Sequence, residues 1–154
     1  VSEALSEALL SYAHLSAVLA VVVFITSEAV LCRSEWLNAA AVRRLLRVDL
    51  IYLLAALAVL ATGLARTAWG FKGGEWYWHQ PLLHLKLTMF VVIGVMSIKP
   101  TLAFRRWARQ LEHDGSLPPA DEVRRTRLWI MVQAHLMMLV PLAATLLARG
   151  VWAR

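Results

Sequence analysis

A chain of 154 residues that is 60% hydrophobic, with a mean hydropathy of +0.61, carries more apolar surface than a soluble domain of its size can bury. Its formal net charge of +6 arises from 16 Lys and Arg against 10 Asp and Glu, but the basic residues flank apolar runs, which excludes nucleic acid as the expected partner. One cysteine, Cys32, excludes an intramolecular disulfide and a cysteine-based metal cluster.

Four apolar runs, at about 9–31, 50–69, 82–104 and 128–148, each approach the roughly 20 residues that cross a hydrocarbon core about 30 Å thick. The expected fold is all-α: a four-helix transmembrane bundle forming one integral membrane domain over 1–154, with no internal repeat. The first run follows SEALSEALL, which places Glu3 and Glu7 where a secretory leader carries positive charge, so a mature helix is expected. Along it His14, Val18, Val21, Ile25 and Glu28 share one stripe at helical spacing. Cys32, at its end, reads as a small apolar residue.

The first connection holds Arg33, Arg43, Arg44 and Arg47. The second run ends on Arg66, in line with Thr62, Val59, Ala55 and Tyr52. The second connection, WGFKGGEWYWHQP, adds only Lys72 to the basic residues and gathers Trp69, Trp76, Tyr77 and Trp78 about a Gly-Gly turn. Interfacial anchoring accounts for those rings; the sharper alternative is a lid over an outer-leaflet site, employing Glu75 or His79. The third run opens PLLHLKLTMF. At about 100° per residue, its His84 and Lys86 point to nearly opposite sides. The Lys86 stripe continues through Ile93, Ser97 and Thr101, with Gly94 close by, and reads as a packing face. The His84 stripe continues through Thr88, Val91, Val95 and Ile98 and reads as a lipid face from which His84 snorkels to headgroups. A lysine at the centre of a span costs about 2.5 to 3.5 kcal/mol on insertion scales, so Lys86 calls for an anion, a polar ligand or water reached along its stem.

The third connection, FRRWARQLEHDGSLPPADEVRRTR, reads as a helix extension, a Gly-Ser and Pro-Pro break, and a new helix starting near Asp121 and Glu122. Its six arginines suit anionic headgroups, and His113 reads as solvated. With the arginines in connections one and three, the positive-inside rule puts both connections in the cytoplasm and both termini on the outer, periplasmic side of a bacterial inner membrane. In the fourth run Met131, His135, Met138 and Leu142 share a stripe. Imidazole and thioethers suit Cu(I), although methionines at this spacing far more often serve packing, and His135 is expected to pair with a neighbour such as Glu28. Pro141 is expected to kink this helix.

Because the first and third spans run inward and the second outward, His14, Arg66 and Lys86 come to similar depth in the outer half. Three ionisable groups from three helices at one level make a functional-site hypothesis. An imidazole for iron, two cations for propionates and an apolar bundle suit a b-type heme. The alternative is an inner metal (copper) or proton site built from Glu28, Met131, His135 and Met138, with Asp49, Lys99 and Arg127 as boundary anchors. A third reading makes every charge an anchor in a non-catalytic structural or assembly subunit. No catalytic residue is assigned. Small residues on the second and third helices suit a homodimer.

The pieces YAHLSAVL and LLHLKLTM, in a chain of four spans, resemble the HemJ-type protoporphyrinogen oxidases. RVDLIYLLAALAVLATGL, KGGEWYW and IKPTLAFRRW are similar to an uncharacterised bacterial family of four-helix membrane proteins, itself distantly similar to HemJ and to copper-resistance D-type membrane domains. The HemJ resemblance implies that His14 is an axial ligand of heme b and that Lys86 is the basic residue following Leu-His-Leu. It implies an oxidoreductase exchanging electrons with a lipid-soluble carrier such as a quinone, a porphyrin being one version of the substrate. HemJ proteins carry an Asn-Glu-x-Pro-like element in the last helix, where this chain has Gln133, Ala134 and His135 before Pro141, and aromatic and basic residues at the end of the first helix that are missing here. Those departures bear on the oxidase reaction and leave heme binding open.

Overall fold

The computed structural model describes residues 2–69, 75 and 78–148, apart from the side chains of 143, 144, 147 and 148. Its four long helices are α1 (Glu3–Leu31), α2 (Ala39–Trp69), α3 (Pro81–Asp114) and α4 (Ala120–Ala148), and no strand occurs among the described residues. Lys72, the Gly73-Gly74 turn, Trp76 and Tyr77, which the lid reading needs, lie outside the described residues.

The helix ends follow from local chemistry. Ser2 Oγ accepts the Leu5 N–H at 3.3 Å and Asn38 Oδ1 accepts the Ala41 N–H at 2.9 Å, each satisfying a donor the first turn leaves open. Pro81 begins α3, where its missing N–H costs nothing. Gly115 ends the helix in the left-handed region at φ 72°, with its N–H on Leu111 O at 3.0 Å. Pro118 and Pro119 then separate it from α4. All four helices outrun the apolar runs inside them, α2, α3 and α4 mainly at the arginine-rich end and α1 at the other. At 34 residues, α3 is about 51 Å long against a hydrocarbon core of about 30 Å.

Three helices, α1, α2 and α3, are long and apolar enough to cross a membrane. Each helix packs on two others, α1 on α2 and α4, and α3 on α2 and α4. Successive helices run antiparallel: Cys32 Sγ reaches Val123 O, Arg127 Nε donates to Ala29 O at 3.1 Å, and Trp107 Nε1 donates to Glu122 Oε1 at 2.7 Å. One end of the molecule therefore collects the 32–38 and 115–119 connections and most of the arginines.

The core sits at that end. Val21, Ile25, Val42, Leu45, Phe104, Trp107, Val123 and Ile130 are buried there. Toward the opposite end, beyond Ala55 and Ile93, Thr67 is the only buried side chain among the described residues, and Leu15, Leu19, Leu57, Val91 and Val95 face outward, as apolar helices do in lipid. The stripes read from helical spacing are observed: Val21, Ile25 and Glu28 on α1, Tyr52 and Ala55 on α2, and Ile93, Ser97 and Thr101 on α3 are buried, while Val91, Val95 and Ile98 are exposed. Gly94 departs from its expected packing role, since a Cβ there would meet nothing within 4 Å. Helix α4 continues unbroken through the exposed Pro141.

At the arginine-rich end, Glu122 takes the Trp107 indole N–H and pairs with Arg106. Partial burial alone would raise its carboxyl, but those donors together hold it below its ordinary value of 4.5. A depressed folded-state value makes the contribution to stability complete above 4.5 and lost as pH falls through the folded value. The melting temperature in detergent is therefore expected to fall in acid, and Glu122→Gln to flatten that part of the profile. An unchanged acid limb in the variant would remove Glu122 from the explanation.

Candidate functional site

His14 lies half-buried against α2, and its neighbours fix its tautomer. Nδ1 is 2.7 Å from Thr62 Oγ1, whose own proton goes to Ala58 O at 2.6 Å. The hydroxyl is thus the acceptor and Nδ1–H the donor. That leaves Nε2 as a bare lone pair, able to take a proton or a metal. Gly63 makes the close approach possible, since a Cβ at that position would stand 3.3 Å from His14 Cε1. Arg66 follows Thr62 by one helical turn and is exposed, while Lys86 on α3 is half-buried. Both lie within electrostatic reach of the imidazole, and of each other. Among the described residues the ion pairs are Arg106–Glu122 and Arg125–Asp121, so no carboxylate neutralises Arg66 or Lys86. The structure places His14, Arg66 and Lys86 within electrostatic reach of one another, one imidazole and two cations that no carboxylate among the described residues pairs with.

The inner set divides. Glu28 is 2% exposed and Asp49 3%. Asp49 accepts the Thr101 hydroxyl at 2.8 Å and so is a core residue, where the sequence suggested a boundary anchor. Glu28 lies within electrostatic reach of Asp49 and Tyr52, yet its Oε1 has no hydrogen-bond partner. From α4, Gln133 is 1% exposed and its Nε2 is likewise unpartnered.

His135 is exposed, with Nδ1 on Met131 O at 2.6 Å in its own helix, and Met138 is 66% exposed. The expected pairing of His135 with Glu28 is not formed. Helix α4 turns Val123, Thr126, Ile130 and Gln133 inward, and two residues farther on, at about 100° each, His135 points the other way. Glu28, Met131, His135 and Met138 therefore do not share a site, and no group of three or more His, Cys, Asp or Glu able to hold a metal occurs among the described residues.

The remaining groups are accounted for locally. His84 is exposed with Nε2 2.9 Å from Trp78 O, and Lys99 lies 4.3 Å from the centroid of the Trp129 ring. Spacing alone did not single out Thr62 and Gly63 as the seat of His14, although Thr62 stood on the Arg66 stripe. Gln133 was legible as the last member of an i, i+4, i+7 series with Thr126 and Ile130.

No curated protein and no solved structure matches the chain. Over residues 6–152 it matches the family model described as Predicted membrane protein (DUF2214). Together with helices long and apolar enough to span a bilayer, that match over nearly the whole chain means that this protein belongs to the DUF2214 family of predicted membrane proteins.

Proposed function

We propose that this protein is a small integral membrane redox protein that binds a b-type heme, with His14 as an axial ligand and Arg66 and Lys86 facing the propionates. The observation that carries this reading is the state of His14: its Nδ1–H is committed to Thr62, its Nε2 is open, and two cations that no carboxylate among the described residues pairs with lie within electrostatic reach of it. Metal-ligating histidines commonly have their other ring nitrogen fixed by a hydrogen bond, which sets tautomer and orientation. The donor set fits the group at both of its polar demands, one nitrogen for iron and positive charge for two carboxylates. When bound, heme supplies one-electron transfer, and the protein tunes it through ligand identity and burial.

In this reading α4 is the fourth span and the arginine-rich end faces the cytoplasm of a bacterial inner membrane, with both termini outside, as the positive-inside rule requires. His14, Arg66 and Lys86 then lie toward the outer leaflet, where a quinone or porphyrin reaches them from the lipid.

The test is a visible spectrum of detergent-solubilised protein expressed with ample heme. Wild type is expected to carry heme absorbance, His14→Ala to lose it, and Arg66→Gln or Lys86→Gln to retain heme more weakly, by about tenfold or more for each charge-assisted hydrogen bond removed. A colourless wild-type preparation overturns the reading.

A further inference from the structure

Where α1 meets α4 at the arginine-rich end, Arg33, Ser34, Glu35, Arg124 and Arg127 surround a cavity of about 340 Å³ floored by Leu128 and Met131. Those two apolar residues also begin a second groove, of about 370 Å³, that follows α4 away from the arginines past Leu136 to Leu139. Sharing Leu128 and Met131, the two spaces lie side by side as a polar head and an apolar tail. Three guanidinium groups against the single carboxylate of Glu35 leave the head positive, and none of the three is ion-paired among the described residues. Arg33 Nε is buried without a partner, although its guanidinium is held 5.0 Å from the Trp36 ring centroid. Arg127 spends Nε on Ala29 O, which leaves its terminal nitrogens for the cavity. The tail from Leu128 to Leu139 rises eleven residues, about 17 Å along a helix. That is close to half of a hydrocarbon core of about 30 Å, the depth of one leaflet.

We propose that this continuous head and tail is a binding site for one anionic phospholipid, its phosphate between Arg33, Arg124 and Arg127 and an acyl chain along the α4 groove. Guanidinium forks suit phosphate oxygens in pairs, and the adjoining apolar groove makes a lipid a better occupant than a free anion. The site differs from a diffuse polybasic attraction because it has a defined floor and a fixed direction.

Phosphatidylglycerol added to the detergent-solubilised protein is expected to raise its melting temperature and to survive as a one-to-one adduct in native mass spectrometry, with phosphatidylcholine doing neither. Arg33→Gln with Arg124→Gln is expected to weaken the phosphatidylglycerol effect by about tenfold or more, while Arg43→Gln with Arg44→Gln leaves it unchanged. Leu136→Trp, which fills the tail groove without touching a charge, is expected to weaken it too. Equal stabilisation by both lipids, the same loss in the Arg43 and Arg44 variant, or a full effect from inorganic phosphate alone would each overturn the proposal.

Discussion

Trp107→Ala is expected to destabilise the protein by about 3 to 5 kcal/mol, the range for deleting a fully buried large aromatic side chain. Trp107 is 0% exposed, meets Phe104 edge-on at 5.6 Å between ring centroids, and gives its indole N–H to Glu122. It lies beyond the apolar run of α3, at the end of the molecule that holds the core. Two losses add. The cavity forfeits dispersion contacts that lipid cannot refill inside a packed interior, and Glu122 loses a charge-assisted donor worth about 1.5 to 3 kcal/mol. Trp107→Phe separates them, since it keeps most of the volume and loses only the donor. Chemical or thermal unfolding in micelles, followed by helix content, reads both variants. A loss of less than about 1 kcal/mol for Trp107→Ala would mean that the arginine-rich end does not carry the fold.

Helical spacing made three of the four buried faces readable. His14, Val21, Ile25 and Glu28 on α1 lie one or two turns apart, and the structure turns that line toward α2. The Arg66 stripe of α2 and the Lys86 stripe of α3 followed in the same way, and alternating helix direction brought their cations to the level of His14. The α4 face was not readable with equal force. Both the Met131–His135–Met138 stripe and the Thr126–Ile130–Gln133 stripe mix apolar with hydrogen-bonding side chains at helical spacing, so periodicity finds two faces and cannot choose between them. The choice comes from packing: Val123 and Arg127 meet the end of α1, and this rotates Gln133 inward. Asp49 was misjudged for another reason. Its position at the edge of an apolar run suggested a boundary, but α2 begins at Ala39 and the core extends beyond that edge, where Thr101 of α3 meets its carboxylate. A partner 52 positions away leaves no local trace.

Glu28→Met is expected to make the protein more stable, by about 1 kcal/mol or more, the low end of the range for replacing a buried ion pair or triad with apolar residues of similar volume. Glu28 is buried among Ile25, Ala29 and the opposing α2 face, with Oε1 unsatisfied and Asp49 within electrostatic reach. Desolvation opposes such a group, and a second carboxyl nearby opposes it further. Methionine removes both penalties while its flexible thioether fills the space. Unlike Asp49, which the Thr101 hydroxyl rewards, Glu28 receives no hydrogen bond at Oε1 that the substitution would forfeit. Unfolding of wild type and variant in mildly alkaline buffer decides the sign. A gain in stability makes Glu28 a residue retained at an energetic cost, the usual mark of function for an ionisable group inside a membrane. A loss instead would mean that the carboxyl supplies a hydrogen bond or packing contact that the thioether cannot replace.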